Sequence, residues 1–411
     1  MRIVYVAYGL LSPTKAHNLQ TVHTVDALAA RGHDVTFVNP VLPVDRDGPG
    51  ELNLPRCRTV LLPAGRLFEL HRSLTPRGRF WSLFADRSLY ALRALPRVRA
   101  ERPDFVVTRD LVACAWLVAA RRLTRTPVAY ELHSLEQVMF DGETPATSEL
   151  ARCVRALTTG DFAGHQDDPS LPGRLYKRFV RRLENATLRR VPVVLPLTGV
   201  TARRLEREHG VARSRPLPSG HAFAPGPPPD RAALGLPTRG KLAVYAGLSL
   251  SGKGFESLLE VAALLRSDST IVVLGAGAEL VAACASPRIV FVPRVEHRRV
   301  ADFLRAADLG LLLYPRTRAL AEFASPLKLV EYLACGLPVV ATRLPGIEEI
   351  VRDGVNGRLV VPGDPAEAAA VIDETLADDA LLARLAAGAR ATASEYTYER
   401  RAERIEACIS T

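Results

Sequence analysis

Apolar positions over the first forty residues follow two rhythms. Ile3 to Ala7 is a continuous apolar run, as a strand buried on both faces requires, and Gly9 to Ala16 reads as a loop. Leu19 to Ala30 carries apolar residues at helical spacing, Gly32 stops it, and Asp34 to Val38 repeats the strand pattern, which makes a β-α-β unit. Strand-like runs return at Thr59 to Leu62, Phe105 to Thr108, Pro127 to Leu132 and Val193 to Leu197, with helical stretches between several of them, so a parallel doubly wound sheet is expected. After Pro216-Leu217-Pro218, the segment Pro225-Gly226-Pro227-Pro228-Pro229 forbids a regular helix or central strand and reads as a stiff linker. A second α/β series follows, with strands at Lys241 to Ala246, Thr270 to Leu274, Ile289 to Val292, Leu309 to Leu313 and Val339 to Ala341. Its helices include Glu256 to Leu265 and Leu327 to Ala334. The predicted fold class is α/β, with two Rossmann-like doubly wound parallel-sheet domains, over 1–215 and 216–392.

Length agrees with this division, because 411 residues exceed the roughly 250 to 300 at which single cores stop growing. Two domains of this kind are expected to face each other across a cleft. With 48% apolar and 24% charged residues the composition is that of an ordinary folded protein. The longest apolar stretch, Leu111 to Ala120, is bracketed by Arg109-Asp110 and Arg121-Arg122 and falls short of the ~20 residues a bilayer span needs. No spanning helix and no signal peptide are expected. Six cysteines, at 57, 114, 153, 284, 335 and 408, include no close pair of the zinc, CxxC or disulfide-framework kind, which suits free thiols in a reducing cytoplasm. The net charge of +10 would attract nucleic acid, an anionic membrane or a phosphorylated substrate alike. Only five of the 54 basic residues are lysines, and three of them, Lys15, Lys253 and Lys328, lie in or beside loops that the fold places near the strand ends.

Ligands of open parallel sheets collect beyond the carboxyl ends of the strands, so the loops there carry the candidate chemistry. The strongest segment runs from Ser325 to Ala341. Ser325 is a good N-cap, Pro326 suits the first helical position before Leu327, and Gly336 is a plausible stop. The N-terminus of such a helix, with its orphan amides and positive dipole, can bind a phosphate. Lys328 would add charge, and Glu331 one turn on can accept hydrogen bonds from a diol. An ordinary capped helix with solvated Lys and Glu is the plain alternative. Tyr245 to Phe255 sits between a strand and a helix, and its Gly247, Gly252 and Gly254 let the backbone approach a phosphate that Lys253 can neutralise. It also matches most of a P-loop, yet Gly254 stands where a P-loop has the magnesium-binding Ser or Thr.

These segments resemble glycosyltransferase family 4, of the two-domain GT-B architecture. The resemblance implies that the Ser325 segment binds a nucleoside diphosphate and that Glu331, the family's second glutamate, holds the ribose. The family's first glutamate falls on Phe323 here, so either the adjacent Glu322 reaches the donor sugar through a shifted loop or the donor contact differs. Leu248 stands in place of the family's arginine in the diphosphate loop, while Lys253 matches its lysine. Gly275-Ala276-Gly277 and Pro293-Arg294-Val295 resemble donor-side loops, the latter lining the nucleobase. His133, just past a strand in Val128 to Ser134, matches the family's cleft histidine and would touch the donor sugar or a phosphate oxygen. The loop from Gly9 to Asn18 replaces the family's glycine pair, and analogy places Lys15, His17 and Asn18 on the acceptor side. Arg109-Asp110 can hold hydroxyls there or make a structural turn. The family also implies retention of configuration and a crossover helix at 393–411 returning to the first domain; closure on the donor is expected because the phosphate contacts come from the second half while His133 and Lys15 come from the first.

The expected partners are therefore a nucleotide-sugar and an acceptor that the sequence does not identify, with no nucleic acid. No cofactor or metal is expected, since Asp45-Arg46-Asp47 reads as a surface turn and lysines plus a helix dipole can neutralise the leaving diphosphate. Three other readings stay open: a nucleotide-sugar epimerase on the same fold, a P-loop-like NTPase, and a basic membrane-binding module. The last rests on Arg174 to Arg190, where Leu175, Phe179, Leu183 and Ala186 recur opposite Arg178, Arg181, Arg182 and Arg189. For the enzyme that helix leaves a peripheral place at the inner membrane face open.

Overall fold

The computed structural model describes residues 1–8, 16–41, 54–63, 76–135, 171–211, 213–247, 254–277, 281, 284, 286–316, 321 and 323–409. They divide into two units. The first holds the described residues before Gly142, those leading to Gly220, and the C-terminal helix from Tyr398; the second runs from His221 to Thr397. The chain crosses at Gly220–His221 and again at Thr397–Tyr398, so Pro225 to Pro229 lies inside the second unit and links nothing. His221 ties that segment down. Its N–H donates to the Tyr396 carbonyl at 2.9 Å, and its ring meets the carbonyls of Phe223 and Ala393, each at 3.0 Å.

The first unit contains β1 (Arg2–Val6), α1 (Ala16–Ala30), β2 (Asp34–Val41), β3 (Arg58–Pro63), α2 (Pro76–Glu101), β4 (Phe105–Thr108), α3 (Leu111–Ala119), β5 (Val128–Leu132), α4 (Leu171–Leu188), β6 (Val193–Pro196) and α5 (Gly199–His209). Its six strands lie in the order β3-β2-β1-β4-β5-β6, every pair parallel. Alternate strand residues, Ile3 and Tyr5, Val35 and Phe37, Phe105 and Val107, face one core shared with Val25 and Leu28 of α1. Tyr398, Ala402 and Ile405 of the C-terminal helix Tyr398–Ile409 enter the same core. Stacking of Tyr398 on His23 at 4.8 Å and pairing of Arg31 with Glu403 and Glu406 fasten that helix to α1.

The second unit contains β7 (Leu242–Ala246), α6 (Phe255–Leu264), β8 (Thr270–Leu274), β9 (Ile289–Val292), α7 (His297–Ala306), β10 (Leu309–Leu312), α8 (Leu327–Ala334), β11 (Val339–Thr342), β12 (Gly357–Val360), α9 (Pro365–Ala377) and α10 (Asp379–Ala393). The order β12-β11-β10-β7-β8-β9, again all parallel, repeats the winding of the first sheet. Strand β12 adds a sixth member to the five expected from the pattern. Each sheet reverses its direction of growth beside its first strand, at β1/β4 and at β7/β10, and such switch points are where ligands of this architecture bind.

Helix α4 is packed along one side. Val180, Glu184, Thr187 and Leu188 are its buried residues, while Leu175 is 50% exposed. Phe179 packs on Trp81 and Phe84 of α2, at ring distances of 5.3 and 4.9 Å. The stripe is thus only partly covered: Phe179 packs on α2 and Leu183 and Ala186 are half-buried, while Leu175 stays exposed.

Candidate active site

At the β7/β10 switch point two sequence-distant segments meet. Gly247 follows β7, and a Cβ built on it would lie 2.9 Å from Lys328 Nζ, so the missing side chain is what admits the lysine. The ammonium sits 4.2 Å from the Tyr245 ring centre and 5.8 Å from that of Tyr314, facing two electron-rich surfaces at the ends of β7 and β10. Tyr332, on the same helix, accepts at its hydroxyl from the Ala246 N–H at 2.8 Å. Helix α8 is thereby fixed against the end of β7 by residues spaced one turn apart.

Pro326, and not Ser325, occupies the N-cap of α8, and no side chain caps the amides there. The expected stop is present, since Gly336 takes φ +74° just beyond Cys335. Glu331 is buried to 8% exposure, and its Oε1 lies 2.7 Å from His297 Nε2. His297 opens α7 and tilts against Phe223 with ring centres 4.9 Å apart. Ser325 is buried and Leu327 half-buried beside this helix start. After β9, Pro293 and Arg294 are exposed while Val295 packs on the core. Gly254 precedes α6 with φ +89°, and a Cβ there would lie 1.9 Å from the Leu313 carbonyl oxygen, so only glycine fits against the end of β10. Lys253, Glu322 and Leu248 lie outside the described residues.

In the first unit His133 stands just past β5, with 24% of its side chain exposed. Its Nε2 is 2.6 Å from Glu131 Oε1, and Arg109 Nη2 approaches Nδ1 at 3.5 Å. Burial pushes the His133 ring down, the Arg109 charge adds to this, and the Glu131 hydrogen bond opposes it, leaving a value of about 4. Burial alone would raise Glu131, but the Arg401 guanidinium, the His133 hydrogen bond and Arg109 hold its carboxyl well below the usual range. At neutral pH the pair is a carboxylate beside a neutral imidazole. Asp110 serves as the N-cap of α3, accepting from the Ala113 N–H at 2.8 Å, and faces Arg87 at 3.5 Å. Asn18 is buried on α1; the side chain of His17 and the whole of Lys15 lie outside the described residues.

Family comparison decides what these sites belong to. A model described as "Glycosyl transferase 4-like domain" matches residues 17–220, and one described as "Glycosyl transferases group 1" matches 240–378. The chain belongs to the family 4-like glycosyltransferases. Both halves of this GT-B fold are thus accounted for. A D-inositol 3-phosphate glycosyltransferase of Xylanimonas cellulosilytica is 36% identical over 195 residues, which is 43% of this chain and 45% of that protein. One of the same name from Salinispora arenicola is 33% identical over 186 residues, 41% of each chain. The matched segment thus spans less than half the length of these curated relatives. Among solved structures, sucrose-phosphate synthase from Thermosynechococcus elongatus superposes with a TM-score of 0.71 at 20% identity, covering 99% of this chain and 98% of that one. Anabaena HepE in complex with UDP-glucose gives 0.67 at 17% identity, covering 100% and 99%.

Sequence reasoning about this glycosyltransferase missed three groups. Glu131 sits within the apolar run of β5, and a carboxylate there signals a buried charge that needs a partner. That partner, Arg401, is 270 residues away, a separation no local pattern bridges. His297 had no signal beyond its place at a helix start. Among the described residues no group of three or more His, Cys, Asp or Glu side chains is placed to hold a metal ion, and no helix is long and apolar enough to cross a membrane.

Proposed function

We propose that this protein is a retaining glycosyltransferase that moves a sugar from a nucleoside diphosphate to a hydroxyl acceptor, with the second unit on the donor side and the first on the acceptor side. The observation that carries this is the convergence of Gly247, Lys328 and Glu331 at the β7/β10 switch point. The start of α8 and Lys328 take the diphosphate. Glu331 Oε1 accepts from His297, and its other oxygen, which bonds to no described residue, takes the ribose diol. Anabaena HepE, solved with UDP-glucose, supports a uridine donor as the first to test. In front-face transfer the acceptor oxygen bonds to the anomeric carbon as the bond from that carbon to the diphosphate breaks, and the acceptor proton passes to the departing β-phosphate oxygen. Lys328 stabilises the charge that grows there. The inositol phosphate in the relatives' names supports a phosphorylated polyol as acceptor.

A peripheral place at an anionic membrane is supported by the outer face of α2 and α4. Trp81, Leu89 and Leu92, spaced for one helical face, are 41%, 38% and 42% exposed, and Leu175 lies exposed on the neighbouring helix. The exposed ionisable side chains described on these two helices, Arg93, Arg97, Arg99, Arg174, Arg178, Arg181 and Arg182, are all basic.

The test is a titration with UDP- and GDP-sugars followed by product analysis. A saturable donor, a glycosylated acceptor and an anomeric configuration unchanged by NMR are expected. A rearranged nucleotide-sugar with no acceptor consumed would replace this reading with an epimerase.

A further inference from the structure

Arg401, on the C-terminal helix, is 2% exposed and gives each guanidinium nitrogen its own duty. Nε donates to Thr24 Oγ1 at 3.0 Å, Nη1 to the carbonyls of Leu217 and Pro218 at 2.7 and 2.5 Å, and Nη2 to Glu131 Oε1 at 2.5 Å. Glu131 also accepts from the Tyr5 hydroxyl on Oε2 at 2.6 Å and meets His133 Nε2 on Oε1 at 2.6 Å. An ionised carboxylate can only accept, so Nε2 of His133 carries its proton. Arg109 can only donate, and it stands on the Nδ1 side while its other terminal nitrogen holds Thr21. Two neighbours of fixed hydrogen-bonding role therefore define the imidazole from both ends.

We propose that Glu131 and Arg401 are positioning residues that hold His133 as the neutral Nε2–H tautomer, with Nδ1 as its acceptor edge. The ring then meets substrate with a fixed polarity and does not act as a general base through Nε2. Arg401 matters because a carboxyl buried this deeply without a cation would take up a proton. A protonated Glu131 could donate to Nε2 and reverse the tautomer. This gives the C-terminal helix, which packs on α1, a role in the chemistry beyond covering the core. The proposal rests on the reading of His133 as a substrate-contacting group.

The experiment is NMR of the full chain labelled with 15N-histidine, His133 being assigned by its absence in His133→Asn. Wild type should show the Nε2–H pattern at His133 and no titration of that ring between about pH 5.5 and 8. Glu131→Gln should keep the wild-type pattern, because its carbonyl oxygen still faces both Arg401 Nη2 and Nε2; in Glu131→Leu nothing accepts from Nε2, so the Nδ1–H form should appear. kcat should then fall at least about tenfold with the donor KM within about twofold. Arg401→Lys, which keeps the charge, should retain the wild-type pattern in part. An Nδ1–H ring in wild type, an unchanged Nε2–H ring in Glu131→Leu, or a switched tautomer with normal kcat would overturn the proposal. The wild-type spectrum decides even where Glu131→Leu does not fold. A tautomer switch in a protein that transfers no sugar supports the positioning role and removes only the assignment of His133 to transfer.

Discussion

At the scale of single residues, two side chains on one short helix are assigned different work. Glu331 faces His297 and is nearly buried, so a diol bound there meets a carboxylate with little competition from water. A charge-assisted hydrogen bond of this kind is worth about 1.5–3 kcal/mol. Glu331→Ala should therefore weaken nucleotide binding by roughly ten- to a hundredfold in calorimetry, and an unchanged isotherm would remove the ribose assignment. In the proposed transfer Lys328 acts on a charge that is larger in the transition state than in the bound donor, and only that difference lowers the barrier. Lys328→Ala should accordingly reduce kcat by about tenfold or more while donor affinity shifts less, and wild-type turnover should survive exhaustive chelation. Normal turnover in the variant, or a strict need for added divalent metal, would sink this electrostatic account.

At the scale of elements, the strands that the hydrophobic pattern revealed are those with uninterrupted apolar runs. Thr270–Leu274 and Ile289–Val292 have the bounds expected, and Leu327–Ala334 is the helix expected. Strand β12 escaped because it opens with Gly357 and carries Arg358, a composition that reads as a turn. The glycine is there for packing: a Cβ would lie 2.5 Å from the Val339 carbonyl oxygen of β11. The site was legible in the same uneven way. Phosphate-facing candidates follow from local chemistry at helix starts and glycine loops, whereas the Glu131–Arg401 pair and the His297–Glu331 contact join positions that only the fold brings together. Gly254 shows how tightly a loop end can be specified. With φ +89° and a Cβ that would overlap the Leu313 carbonyl, Gly254→Ala should cost about 2–4 kcal/mol. Chemical denaturation would measure it, and a loss under about 1 kcal/mol would mean that the α6 start shifts without strain.

At the scale of the whole molecule, acid should act on the first unit through the same pair that positions His133. Both groups have folded values below their ordinary ones, His133 at about 4 against 6.5. The unfolded chain then binds more protons than the folded one, so stability rises with pH there. The contribution is complete above pH 6.5 and fades as pH falls toward 4 for His133, with Glu131 adding further loss below its unfolded value of 4.5. Thermal unfolding of His133→Gln should show a flatter dependence between about pH 4 and 6.5, and a slope equal to wild type would show that this ring does not carry the linkage. The proposed membrane association belongs to the assembled surface as well. The exposed Trp81, Leu89, Leu92 and Leu175 are too few to hold a protein on a bilayer alone, but each arginine beside an anionic surface adds about 1 kcal/mol, lost as salt screens it. The combination predicts co-sedimentation with vesicles containing phosphatidylglycerol, release at high salt, and little binding to neutral phosphatidylcholine vesicles. Trp81→Ala together with Arg178→Glu and Arg182→Glu should abolish sedimentation while leaving donor binding, which the proposed function assigns to the second unit, intact. Equal binding to neutral and anionic vesicles, or full binding by the triple variant, would show that this face meets something other than an anionic bilayer.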